Sequence, residues 1–275
     1  MKTGTSARSA RGPIRTAIAI ILLALMLFPV YWMLNISLQP SGNALAGTFF
    51  PTHPSLAGYR SAIHDQGRHL VISLLIASGT VVVTLLIAAP CAYALAQFRF
   101  RWISWALLAI LISQMIPGIV IANALYTAYE RIGLLDSIPG LIIANAANAI
   151  PFGILIMRSF MLGVPPSIVE AARVDGAGLV RAFLSIVVPI SRNSMITVGL
   201  FAFLFAWSDF IFALTLTTKG QVVPVTLGIY TYLGAHIANW SAVMATAMLA
   251  SIPAIILLVI AQRYIAAGAV GGAVK

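Results

Sequence analysis

Residues 70–94 read LVISLLIASGTVVVTLLIAAPCAYA, a run of 25 positions without one charged side chain. At 1.5 Å of rise per residue, a helix of that length exceeds the roughly 30 Å of hydrocarbon in a bilayer. Apolar runs of similar length recur at approximately 16–38, 103–125, 138–160, 193–217 and 240–262. A backbone crossing lipid must satisfy its own hydrogen bonds, so each run reads as a helix. The expected fold is therefore all-α: a polytopic membrane protein of six transmembrane helices, with residues 1–275 forming a single transmembrane domain. Composition points the same way. With 61% of residues hydrophobic and 8% charged, there are too few charged side chains to cover a soluble globule of 275 residues.

The formal charge of +10 raises the question of nucleic acid, but the basic residues are scattered between apolar runs and form no continuous basic face, so no nucleic-acid partner is expected. They sort instead by topology. Lys2, Arg8, Arg11, Arg15, Arg99, Arg101, Arg158, Arg173, Arg181, Arg192, Arg263 and Lys275 fall on one side of the six spans, and Arg60, Arg68, Arg131 and Lys219 on the other. Twelve against four places both termini in the cytoplasm. A cleavable signal peptide ending near Ala44-Leu45-Ala46 is the competing reading of the first run. The apolar stretch from Ala17 to Leu34 is longer than a signal core and ends well before that small-residue site, so a retained helix fits better. The single cysteine, Cys91, allows no intrachain disulfide, and His53, His64, His69 and His236 lack metal-ligand spacing. No metal site is expected.

Two gaps, about 39–69 and 218–239, face outward and are long enough to meet a partner there. The longest cytoplasmic gap, about 161–192, carries the strongest signal. Within 164–193 (VPPSIVEAARVDGAGLVRAFLSIVVPISRN) two short helices with a bend are expected. Ser167 and Glu170 have the S-x-x-E spacing of a capping box at the first helix start, and Gly176 supplies its stop. The second helix should run from about Leu179 to Val188, ended by Pro189.

Residues of this gap resemble a known family. Glu170-Ala171-Ala172, Asp175-Gly176-Ala177, Phe183, Ile186 and Pro189 match in spacing the EAA motif of importer-type ABC permeases. Val188, where many members have Leu, and Asn193, where sugar-type members often have proline, depart from it. The stretches Asn35-Ile36-Ser37-Leu38-Gln39-Pro40, Leu56-Ala57-Gly58-Tyr59 and Phe205-Ala206-Trp207-Ser208-Asp209-Phe210, and the closing Gly-Ala-Val-Lys, are similar to the carbohydrate branch, in particular to the second permease subunits of maltose-type and trehalose-type importers. The resemblance implies a type I ABC importer permease of the bacterial cytoplasmic (inner) membrane, with residues 165–189 as the coupling helix segment seated on an ATPase subunit. It implies a heterodimer with a homologous first permease, an ATPase dimer in the cytoplasm that holds the ATP and Mg, and an extracytoplasmic sugar-binding protein. This chain itself would bind no cofactor.

Substrate candidates follow from residue chemistry. Asp209 is an acid within a predicted span, where an ionisable group should face a cavity or a polar partner; lying near the helix end, it is alternatively just solvated or paired. Trp207 and Phe210 could stack on a sugar ring, although aromatic residues in membrane helices more often serve packing or the interface belt. Asn145 and Asn148, three apart and expected on one face, and Gln114, offer amides to sugar hydroxyls or to neighbouring helices.

The sequence holds no G-x-x-x-x-G-K-S/T, G-x-S-x-G or H-E-x-x-H pattern. It is read as a transport subunit without catalytic residues, its energy supplied by a partner. Two rivals remain: a passive facilitator, against which the coupling motif argues, and an importer of another solute such as a glycerol-phosphate ester, which would want basic residues facing the cavity.

Overall fold

The computed structural model describes residues 11–40, 48–98, 101–235 and 239–273. Among these every regular element is helical: α1 (Arg11–Ser37), α2 (Ala57–Gln97), α3 (Ile103–Ser113), α4 (Gly118–Ile132), α5 (Ile138–Met161), α6 (Pro166–Val174), α7 (Leu179–Ala182), a π-turn (Phe183–Val187), α8 (Val188–Ile190), α9 (Arg192–Trp207), α10 (Ile211–Leu216), α11 (Val225–Ala235) and α12 (Trp240–Ala273).

Four stretches are long and apolar enough to cross a membrane unaided: Arg15–Ser37, Ala57–Gln97, Ile138–Met161 and Trp240–Gln262. The expected spans at 103–125 and 193–217 are not single straight helices. The first is α3 and α4, bent by 93°. Met115 and Ile116 close a tight end through bonds to Ile112 and Ser113. Pro117 lacks the N–H needed to continue and pushes the preceding residue out of helical geometry. The second starts with a 79° bend between Leu179–Ile190 and Arg192–Trp207, and breaks again at Ser208–Phe210 before α10. Six spans result when each bent pair is taken as one. The gaps are also more helical than expected: α2 starts at Ala57, and α11 fills much of 218–239.

Contacts divide the chain into two compact units, Met1–Gln66 with Tyr232–Leu249, and Gly67–Thr231 with Ala250–Lys275. In the first, the Asn35-Ile36-Ser37 end of α1 is buried. Asn35 Nδ2 donates to the Thr48 carbonyl (2.7 Å), Ser37 Oγ lies 2.9 Å from the Tyr59 hydroxyl, and the Tyr31 hydroxyl donates to the Phe49 carbonyl. Gly58 sits so close to α12 that a Cβ there would lie 2.8 Å from the Ser241 carbonyl oxygen. The Tyr232 hydroxyl donates to Asp65 Oδ2 (3.0 Å), whose Oδ1 is 2.8 Å from His64 Nδ1. Two stretches noted in the sequence, 35–40 and 56–59, thus earn their residue types from this clasp. By contrast, none of the apolar window of α1 is buried within the chain.

Among the described residues the second unit has three apolar cores. One joins α2 (Ala88, Ala92, Tyr93), α5 (Ile154, Met157, Met161) and α9 (Val198) to the segment after α5 (Val169, Ala182, Val187). Small residues set the spacing: a Cβ on Gly153 would lie 3.0 Å from Val198 and 3.2 Å from Ala88. Another joins Ile72 and Ile76 of α2 to Ala122 and Tyr129 of α4, Leu141 and Ala144 of α5, and Phe212 and Leu216 of α10. The third surrounds Phe203 and Trp207 of α9.

Candidate functional site

The segment 165–189 folds as a two-sided knuckle. α6 begins at Pro166, whose fixed φ suits the first helical position and whose missing N–H costs nothing there. Pro165 is the N-cap, and no side chain caps the helix. The expected capping box is therefore absent: Ser167 lies inside the first turn, two residues past the cap position. Glu170 is exposed and takes no hydrogen bond or ion pair from the described residues.

The helix stop is as expected and has an explicit geometry. Gly176 adopts φ +88°, its N–H donates to the Arg173 carbonyl (3.1 Å), and the Ala177 N–H donates to the Ala172 carbonyl (2.9 Å). These are the two bonds of a Schellman motif. A Cβ on Gly176 would meet nothing within 4 Å. Conformation, not crowding, selects glycine here.

Pro189 does not end the second helix. The turn before it widens, the Val188 N–H donating to the Phe183 carbonyl five residues back, and helical geometry continues to Ile190. A π-turn supplies the room that a proline ring lacks against the carbonyl four residues earlier. The chain redirects at Ser191 instead.

Inner and outer faces separate cleanly. Val169, Ala182 and Val187 are buried; Ala172, Ala177 and Phe183 pack partly buried against the same core, with the Phe183 ring 5.3 Å from Tyr93. Outward stand Glu170, Ala171, Arg173, Val174 and Asp175, Val174 being 88% exposed. Ile186 is half-buried and Pro189 exposed.

Of the six substrate candidates, Asp209 meets Asn145 and Gln114 meets Asn148, while Trp207 and Phe210 pack against other rings. Asp209 sits in the α9–α10 break; its Oδ1 accepts from the Phe212 N–H (3.1 Å), its Oδ2 from the Ala213 N–H (3.2 Å), and Asn145 also bonds to it. It is a paired acid that restarts a helix, matching the blander of its two readings. The Thr226 hydroxyl donates to the Asp209 carbonyl, a tie to α11 with no signal in the sequence. Trp207 is buried, its indole N–H donates to the Ala250 carbonyl (3.0 Å) and its ring stacks on Phe203 at 5.5 Å. It is a packing residue, and the sugar-stacking reading is not supported. Phe210 is half-buried, edge-on to Tyr230.

Asn145 and Asn148 do not share a surface. Asn145 is buried and donates to the Leu141 carbonyl (3.0 Å), whereas Asn148 is exposed. Three residues leave about 60° of rotation, enough to part them where a helix passes from core to surface. Gln114, exposed at the α3–α4 bend, reaches the Asn148 carbonyl at 3.4 Å. Near them in sequence lies a ring cluster that sequence reasoning missed, Phe152, Phe201 and Phe205, with centroids 5.2–6.3 Å apart; Phe205 lies in a stretch already singled out. No group of three metal-ligating side chains occurs among the described residues.

Membrane-length helices around an apolar core, with an exposed helical knuckle, define a polytopic membrane transport subunit. The chain belongs to the family of binding-protein-dependent transport system inner membrane components, which matches residues 85–270. It is 34% identical to a probable ABC transporter permease of Sinorhizobium fredii over 99% of each chain, and 31% identical to a trehalose transport system permease of Mycobacterium tuberculosis over 90% of this chain and 92% of that one. In fold it matches a chain of a crystal structure of a bacterial ABC transporter involved in the import of the acidic polysaccharide alginate, with a TM-score of 0.80 at 23% identity over 95% of this chain and 99% of that one. The chain is an ABC transporter permease of the inner membrane, a transport component and not an enzyme.

Proposed function

We propose that this permease imports a neutral sugar, with trehalose or maltose as the first candidates, as the second permease of a heterodimer. Its partners are a homologous first permease, an ATPase dimer on the side of residues 165–189, which holds the ATP and Mg, and a sugar-binding protein on the opposite side. Both termini lie in the cytoplasm. This chain binds no cofactor.

The observation that carries the reading is the two-sidedness of the knuckle. Glu170, Ala171, Val174 and Asp175 are turned outward with no role in holding the chain together, while Val169, Ala172, Ala182 and Val187 are locked into the core shared by α2, α5 and α9. A partner gripping the outer face moves the inner face with it. Packed interiors transmit displacement because they are close-packed and do not absorb it locally. Closure of the ATPase dimer then swings the paired permeases from inward-facing to outward-facing, and hydrolysis resets them to release sugar inside.

Gln114 and Asn148 present amides on an exposed surface, the residue chemistry that sugar hydroxyls require. The trehalose permease among its relatives points to a disaccharide as the first probe.

The test is uptake of labelled trehalose and maltose, with ATPase activity, in proteoliposomes holding the full complex. Replacing Glu170 and Gly176 together should abolish ATP-driven uptake while the complex still inserts. Uptake that persists after ATP depletion would make the chain a passive facilitator. Uptake of a glycerol-phosphate ester with neither disaccharide moving would replace the sugar reading.

A further inference from the structure

Leu85, Leu86, Ala89, Pro90, Tyr93, Ala94 and Phe98 along α2 face Leu179, Val180, Phe183, Leu184, Val188 and Met195 across an open groove of about 590 Å³. Every lining side chain is apolar except for the Tyr93 hydroxyl, and Leu86, Val180 and Leu184 are exposed along it.

The stretches that line it, 85–98 and 179–195, hold none of the chain's six acids, Asp65, Glu130, Asp136, Glu170, Asp175 and Asp209. Arg181 and Arg192 lie within the second, and Arg99 and Arg101 follow the first in sequence. Arg101, Arg181 and Arg192 are exposed, and among the described residues none of the three has an ion-pair partner. Arg181 stands between the lining residues Val180 and Phe183, and Arg101 three residues beyond Phe98. An apolar trough flanked by unpaired guanidiniums has the chemistry of a phospholipid: hydrocarbon for the trough and a phosphate-bearing headgroup for the arginines. A helix of another protein would fill the trough but would need acids placed against the arginines as well.

We propose that this groove is a binding site for an anionic phospholipid of the leaflet next to the coupling segment, with one acyl chain along Leu86, Tyr93 and Leu184 and the headgroup held by Arg181 and Arg101. The proposal rests on the placement of residues 165–189 at the cytoplasmic side. The occupant lies against the π-turn, because Phe183 and Leu184 belong to both. The bound lipid therefore braces the same turn that connects the outer face of the knuckle to α9, and anionic lipid should raise the coupling between ATP hydrolysis and uptake.

The test uses the full complex in nanodiscs of phosphatidylcholine alone or mixed with phosphatidylglycerol. Lipid retention is read by native mass spectrometry, and ATP-driven sugar uptake is read in vesicles of the same two compositions. Phosphatidylglycerol should stay on the natural complex. Its affinity should fall about thirtyfold in Arg101→Gln/Arg181→Gln, the loss of two charges each contributing about 1 kcal/mol near an anionic surface. Leu86→Trp, which fills the trough and keeps both arginines, should also displace it. Equal retention in all three proteins overturns the site. Failure of Leu86→Trp to assemble with the first permease, with lipid retention unchanged in the arginine variant, overturns it in favour of a protein occupant. Uptake in phosphatidylcholine vesicles separates the two readings: if it remains ATP-driven, the transport reading stands whatever the lipid result.

Discussion

Glu170 and Gly176 belong to the same short motif but act through different physics. Glu170 is exposed, bonds to nothing within the described chain and does not cap α6. Glu170→Ala should change stability by no more than about 0.5 kcal/mol, as expected for an exposed residue without partners. ATP-driven uptake should nevertheless collapse, and thermal unfolding of the complex beside transport distinguishes the two. Gly176 holds a left-handed backbone and both closing bonds of a Schellman motif, so Gly176→Ala should cost about 1–2 kcal/mol locally. The cost should appear as faster amide exchange over 173–177. A variant at Glu170 that frays α6 as much as one at Gly176 does would return the acid to a structural role. Tyr232 gives a residue-scale check on the other unit. Burial, the hydrogen bond to Asp65 and the negative charge of Asp65 together push its hydroxyl up to about 12. The neutral hydroxyl is the form favoured by the fold. Its contribution is therefore complete below the ordinary tyrosine value near 10, and is lost as pH rises through about 12. Asp65→Asn removes the charge, and a tyrosine absorbance titration, differenced against Tyr232→Phe, should show Tyr232 ionising at lower pH than in the natural chain.

At the scale of elements, the π-turn before Pro189 is where local chemistry and long-range packing meet. The wide turn holds one residue more than an α-turn would, and it is what leaves Phe183 against Tyr93 while helical geometry continues through the proline. Pro189→Ala removes the ring that demands the extra room. We expect the turn to relax to α-geometry, which rotates residues on one side of it by about 100° relative to the other. Proline in a helix interior costs about 3 kcal/mol, so the segment should become more protected against amide exchange even as Phe183 leaves its pocket and coupling falls. Lower coupling with unchanged exchange would assign the defect to something other than the turn. This segment also shows what a sequence discloses. The motif and its glycine stop were legible because φ preference is a property of one residue. The π-turn was not, because it answers to the packing of Phe183 on Tyr93 of α2 as well as to the ring of Pro189. The six apolar runs were legible for a comparable reason, since lipid as solvent imposes length and composition. The breaks at Gln114–Pro117 and Ser208–Phe210 escaped because hydropathy counts composition and ignores which N–H lacks a partner. Which of its two readings applies to Trp207 was not legible for want of a polar side to α9: a helix apolar all round does not announce which face is core.

At the scale of the whole molecule, the orientation of the chain rests on a charge count of twelve against four that no contact in the structure enforces. What the structure adds is a set of exposed positions at which that orientation can be read. Asp175 is exposed at the end of α6, and Gly220 is exposed with φ +68° in the turn before α11, at the opposite end of the 193–217 span by the expected topology. Cys91 is the only cysteine and is half-buried, so Cys91→Ser gives a background without native thiols. In that background Asp175→Cys should resist a membrane-impermeant maleimide in intact cells and react once the membrane is opened, whereas Gly220→Cys should react from outside. The two results are linked, because an odd number of crossings separates the positions if α9 and α10 together form one span. Protection of both until the membrane is opened would mean that 208–210 is the tip of a re-entrant loop and not a bend within a span. Reversal of both would move the knuckle to the side without ATP, and the coupling role of Glu170 would fall with it.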